Sequence, residues 1–186
     1  MARIETVEEF AREATHSQAG AFAAACAERA VAILFWVVSA DGRTVDLDNY
    51  KSALDSLWVP ERAGPDEIDE KREKILGMQE LVVGDEASGV HAFAYQGAVA
   101  LYTALEVCVR EKERVLLDCS SALRNYAFRL GRRCGVDLLT GEDELQLRDV
   151  ADLSAVAGDK GVSMSLRRRS AAEGRRWLAL ATDRFG

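Results

Sequence analysis

Two prolines, two histidines and four scattered cysteines are all that this chain of 186 residues has of those types, and each shortage excludes something. Two prolines are few for an all-β chain with many turns, while the abundant alanine, leucine and arginine are good helix formers. His16 and His91 stand apart; His16 has the single carboxylate Glu13 three residues before it, and His91 has no potential ligand three or four residues away. H-x-x-x-H pairs and the repeated E-x-x-H of di-iron bundles are therefore missing, and neither a metal nor another cofactor is expected. Cys26, Cys108, Cys119 and Cys134 contain no C-x-x-C pair. Three of them fall on faces read as buried, where a reduced thiol behaves as a small hydrophobe. There is no G-x-x-x-x-G-K-S/T, no G-x-G-x-x-G and no G-x-S-x-G, so nucleotide cradles and hydrolase elbows lack support. No catalytic residue is assigned.

The chain also has no charged-then-apolar leader with a small-residue cleavage site, no repeat at a solenoid period and no low-complexity tract. A cytoplasmic location and a single domain are expected, with a core bundle over about 17–135 and a C-terminal helical arm over about 142–185. At this length folding buries roughly 70% of the surface of the unfolded chain, enough without a disulfide or a metal.

One long apolar run is present. Ala19 to Val38 carries only two charges, Glu28 and Arg29, side by side. Its length suits a membrane span, but eight of its twenty residues are alanine. A charge of the Asp or Arg type at a span's centre costs roughly 2.5–3.5 kcal/mol on insertion scales. A buried core helix is the better reading, and no membrane partner is expected.

Charge is unevenly spread. Residues 41–86 hold 13 acids and 6 bases, a net of −7 that equals the formal charge of the whole chain. Residues 167–184 hold six arginines against Glu173 and Asp183, a net of +4. Overall acidity argues against generic nucleic-acid binding, because that affinity comes from neutralising phosphates.

The patterning predicts an all-α bundle of six to seven helices. Thr6-Val-Glu-Glu9 fits a capping box for a short helix to about Ala14. Ser17 is placed to cap the long helix, on which Phe22, Cys26, Arg29 or Ala30, Ile33 and Val37 share a face. Asp41-Gly42 between apolar runs signals a rival hairpin; the weak alternation and the upstream alanines favour helix. Asp46 or Asp48 is expected to cap a helix to Trp58, and Pro65 to open the next, which runs to about Leu81. A loop over Val82–Gly89, a helix over Val90–Lys112 and another through Val115, Cys119, Ala122, Tyr126 and Leu130 follow. Gly135 is a natural residue to end the last of these. Thr140 could cap a helix over Glu142–Ala157 that turns Leu145 or Leu147, Val150, Leu153 and Val156 inward. The final helix, about Ser163–Arg184, aligns Leu166, Ser170, Trp177, Ala181 and Phe185.

A buried charge is costly unless paired, so Arg29 is expected to be buried against Glu28 or Glu106. That pair would fix the register of the two apolar helices, or line a small polar ligand pocket formed by Glu28, Arg29 and Glu106. Asp66, Glu67, Glu70 and Glu73 lie on a highly charged helix, with acids early and bases late as the helix dipole prefers. They form a candidate acidic partner-binding face. Arg167, Arg168 and Arg169 form a candidate basic one, free to bind an anionic partner or to lie across the acidic segment of the same or a neighbouring molecule.

Phe22-x-x-x-Cys26-x-Glu28-Arg29, Leu54-x-x-Leu57-Trp58 and the alanine-rich helix ending Ala104-Leu105-Glu106 resemble the YjaG-type family of bacterial proteins of unknown function, over about residues 20–110. The resemblance implies an all-helical cytosolic fold and no defined activity. Members tend to carry an acidic residue inside the second central helix, where this chain is apolar around Val99. By class alone, small acidic helical proteins also include bacterial toxin-neutralising immunity proteins. The leading expectation is thus a non-enzymatic interaction protein, immunity-type or regulatory, with a basic protein partner. A homodimer is a further possibility, and a ligand-binding protein or enzyme built on Glu28, Arg29 and Glu106 is the alternative.

Overall fold

The computed structural model describes residues 6–59, 64–155 and 160–186, and among these it is helical with no strand. Among the described residues nine α-helices replace the expected six to seven: α1 (Val7–Glu13), α2 (His16–Ala40), α3 (Thr44–Trp58), α4 (Pro65–Leu76), α5 (Gln79–Val83), α6 (His91–Glu106), α7 (Lys112–Cys134), α8 (Leu139–Ala155) and α9 (Lys160–Phe185). The count rises partly because the helix expected to reach Leu81 breaks at Gly77, leaving α5 as a separate short piece followed by a 3-10 turn over Gly84–Glu86. The expected loop over Val82–Gly89 is therefore partly helical. The expected 90–112 helix ends at Glu106, and turns lead directly into α7.

Local signals place several of these ends. Thr6 accepts a hydrogen bond from the Glu9 N–H and opens α1. Thr15 rather than Ser17 caps α2, in a reciprocal capping box with Gln18. At Asp41-Gly42 the chain turns from α2 into α3, so the hairpin does not form; α3 begins at Thr44 without a side-chain cap from Asp46 or Asp48. Pro65 occupies the first turn of α4 as expected, while Pro60 lies outside the described residues. Gly135 closes α7 in the left-handed conformation at φ 72°.

Helix α2 is the axis of the molecule. It packs most extensively against α6 and α9, then α3 and α7. It is long and apolar enough to cross a membrane by length and composition, yet 72% of its most apolar window is buried within the protein. Small residues let neighbouring backbones approach it. A Cβ added to Gly97 of α6 would stand 2.9 Å from the Ala30 carbonyl oxygen, and one on Gly174 of α9 would stand 3.0 Å from those of Glu28 and Arg29. Bulky residues then fill the outer spaces. Phe10 and Phe22 meet at 5.7 Å, and Tyr126 meets the Trp177 edge at 5.4 Å. Leu166, Trp177 and Ala181 of α9 join this same core.

Candidate functional site

Arg29 is 1% exposed, as expected, but its partners are neither Glu28 nor Glu106. Its two terminal nitrogens reach across to α8: Nη1 lies 2.7 Å from Asp149 and Nη2 lies 3.0 Å from Glu142. Nη1 also donates to the Ser170 hydroxyl of α9 at 3.2 Å, and Nη2 lies 3.6 Å from the Cys26 sulfur one turn earlier. The second oxygen of Asp149 accepts from Arg169 at 2.6 Å. Gln146 donates to Glu142 at 2.8 Å and accepts from the Ser120 hydroxyl of α7 at 2.6 Å. Four helices, α2, α7, α8 and α9, are thus joined through one buried polar cluster.

Electrostatics follows from enclosure. Burial works against the Arg29 charge, but the Glu142 and Asp149 carboxylates outweigh it and hold the guanidinium above its ordinary value. Burial pushes Glu142 up, against the pull of Arg29 and Gln146, and its Oε2 is buried with no hydrogen-bond partner. The Cys26 thiol is likewise driven far up by burial, so it is no thiolate nucleophile. The four cysteines are free thiols, Cys26 and Cys119 buried and Cys108 and Cys134 partly so. Among the described residues, no cluster of three or more His, Cys, Asp or Glu side chains is arranged to hold a metal ion.

Sequence reasoning missed the α8 side of this cluster. It turned Leu145 or Leu147 inward, whereas Leu147 is 46% exposed and the buried face carries Glu142, Gln146 and Asp149. Their spacing of four and three residues puts all three on one helix face, the one signal available beforehand. Val150 and Leu153 are buried as expected, and Val156 lies outside the described residues. The expected cap at Thr140 is replaced by Asp137, whose carboxylate accepts the Thr140 N–H at 3.1 Å.

The three residues expected to share a pocket have separate partners. Glu28 accepts from the Trp58 indole at 2.7 Å and lies 3.4 Å from Arg167. Its partial burial pushes its carboxyl above the ordinary value, against the pull of Trp58 and Arg167. Glu106, at the end of α6, pairs with Arg110 at 3.1 Å and approaches Arg72 at 3.8 Å.

On α4, Asp66, Glu67, Glu70 and Glu73 all face solvent. Glu67 pairs with Lys71, Glu70 with Lys74 and Glu73 with Arg72, along or beside their own helix. Between α3 and α4 lies a shallow cleft of about 430 Å³, bordered by Asp48, Asp55, Glu67, Lys51 and Lys71. The basic tail divides. Arg168 is exposed, but Arg167 bonds to Asp55 and stacks 5.8 Å above the Trp58 ring, and Arg169 bridges Asp149 and Asp152. Two of these three arginines are therefore spent within the molecule, one of them on the acidic segment.

A second polar cluster fixes the other end. Arg43 forks onto both Glu80 oxygens at 2.5 and 3.0 Å and onto Asp46 at 2.8 Å, while the Tyr50 hydroxyl donates to Glu80 at 2.7 Å. Burial alone would raise the Glu80 carboxyl, but Arg43 and Tyr50 bring it below its ordinary value. This pins α5 to the start of α3.

No protein-family model matches the chain, and neither a curated protein nor a solved structure is significantly similar to it.

Proposed function

We propose that this protein is a non-enzymatic interaction module that receives a basic protein partner on the acidic surface of α3 and α4. Membership in the YjaG-type family, the cytoplasmic location and a toxin-neutralising or regulatory role are parts of the same reading. The observation that carries it is the solvent-facing row Asp66, Glu67, Glu70 and Glu73 beside the α3–α4 cleft, in the segment whose net charge is −7. Their helix-internal partners are the exposed Lys74 and the half-buried Lys71 and Arg72, while the acids themselves lie at the surface, where such pairs contribute little. An acidic field of this kind steers a basic partner and speeds encounter. The enclosed Arg29 cluster supports the same reading by default of chemistry, since its ionisable groups face one another.

The test compares wild-type protein with a variant in which Asp66, Glu67, Glu70 and Glu73 are reversed to lysine. A basic partner captured by the wild type, associating more slowly as salt rises and lost by the variant, is the expected result. Surface attraction is largely screened beyond roughly 8 Å at physiological ionic strength, so the salt effect belongs to the on-rate. Equal recovery of the same partner by both proteins would overturn the proposal, as would a partner without excess positive charge. Sedimentation of the purified chain separates self-association from capture of a different protein.

A further inference from the structure

We infer that a groove between the N-terminal end of α6 and the C-terminal half of α7 is a binding site for a small organic anion with a flat apolar ring. The groove encloses about 690 Å³, within the range of small-molecule sites. Arg129, Arg132 and Arg133 line it, and among the described residues no aspartate or glutamate does, although the chain as a whole carries a net charge of −7. None of the three forms an ion pair within the described structure, whereas Arg29, Arg43, Arg72, Arg110, Arg124, Arg167 and Arg169 each do. Asp137 lines an adjoining recess past Phe128 and is engaged with the Thr140 N–H.

Aromatic side chains supply a further part of the lining. Phe93, Phe128 and Phe185 border the same space, with Phe93 and Phe185 centroids 5.8 Å apart. Phe128 is 45% exposed, with the Arg132 guanidinium 5.7 Å from its centroid. A side chain of that size left facing a recess offers a ring-sized apolar surface, and the guanidinium beside it offers a charge at one end of that surface. The third contribution is backbone. Gly89 and Ala92 line the groove at the start of α6, whose N-terminus carries no side-chain cap. The Phe93 N–H is taken by the Val90 carbonyl, and the N–H groups that precede it in the first turn have no partner within the helix and favour an anion. Aromatic side chains, three guanidiniums free of ion pairs and an uncapped helix N-terminus define an aromatic carboxylate, sulfonate or phosphate ester as the ligand class.

The probe is 1-anilinonaphthalene-8-sulfonate, titrated by fluorescence into the intact protein and displaced in turn by 2-naphthoate, 2-naphthol and inorganic phosphate. Saturable one-to-one binding is expected, reversed by 2-naphthoate at concentrations where neutral 2-naphthol and ring-free phosphate have little effect. The combined variant Arg129→Gln, Arg132→Gln, Arg133→Gln should bind about tenfold or more weakly, the scale of losing hydrogen bonds to a charged group. Phe128→Ala should weaken the ring-bearing probes in the same direction. A control with Arg148, Arg168 and Arg175 changed to glutamine removes equal charge from exposed positions elsewhere. It should bind like wild type. All of these positions are solvent-facing, and circular dichroism checks that each variant folds. Unsaturable binding, equal loss in the control variant, wild-type affinity in the groove variant, or displacement by phosphate or 2-naphthol as effective as by 2-naphthoate would each overturn the site.

Discussion

Arginine is placed under opposite regimes at two points of this molecule. Arg29 lies on the central helix with its side chain fully enclosed, its terminal nitrogens committed to Glu142, Asp149 and Ser170. Arg129, Arg132 and Arg133 stand on the rim of an open groove with aromatic walls and, among the described residues, no acid. The difference teaches what enclosure does to a charge. Where water is excluded, the fold must bring carboxylates to the guanidinium, and the result is a closed structural knot. Where water stays, no such demand acts, and the charge is left available to whatever enters.

The comparison breaks first at Arg29. Replacing Arg29 by Met should strand Glu142 and Asp149 in the interior and destabilise by about 3–5 kcal/mol, read from denaturant midpoints. Adding Glu142→Leu to that variant should recover part of the loss. An unchanged midpoint in the single variant would mean that water reaches the cluster and that the contrast with the groove is false.

A smaller effect is expected where α9 closes over α2. Gly174→Ala forces a Cβ to 3.0 Å from two carbonyl oxygens of α2, and overpacking of that kind costs about 1–3 kcal/mol. Thermal melting measures it. Because Gly174 packs beside Arg29 itself, the substitution also reports whether α9 serves as the lid of the cluster.

The pH dependence sharpens the same point through Glu142 and Glu80. Glu142 titrates higher in the folded protein than the ordinary 4.5, so the folded state holds its proton more tightly than the unfolded state. Its contribution is therefore full below that ordinary value and is lost as pH rises through the raised folded value. Stability of wild type relative to Glu142→Gln should accordingly fall on going from mildly acid to neutral pH. Glu80 runs the other way: its folded value is lowered from 4.5, so its contribution is present above 4.5 and is lost as pH falls through the folded value. Relative to Glu80→Gln, wild type should weaken on acidification. Two parallel pH profiles would remove the distinction between an under-satisfied carboxylate and a fully forked one.

The smallest stability effect belongs to the open groove. Substituting Arg129, Arg132 and Arg133 by glutamine should change stability by under about 0.5 kcal/mol each, as at other solvated positions. A large loss of stability there would mean that these arginines support the fold and are not free for a ligand.

Much of the helical architecture could be read along the chain, because short-range rules govern it. Phe22, Cys26, Ile33 and Val37 on α2, Tyr126 and Leu130 on α7, and Leu166, Ser170, Trp177 and Ala181 on α9 all have the spacing that puts them inside, and all are buried. The breaks at Gly77 and after Glu106 were harder, since the apolar periodicity runs on through them while the chain turns.

What the sequence by itself determined is the all-helical class, the burial of the Ala19–Val38 run and the need of Arg29, inside that run, for an acidic partner. A 3.6-residue period and the cost of an unpaired buried charge are local facts, and they act on any fold that this chain adopts. Which acids answer Arg29 was decided only by tertiary structure, because Glu142 and Asp149 lie more than a hundred residues away and reach it through the packing of α8 against α2. The same holds for the groove, where α6, α7 and Phe185 of α9 converge although nothing in their separate sequences marks them as neighbours. Helix-to-helix packing distributes its choice over many small contacts, so it fixes partners that no short stretch of sequence specifies.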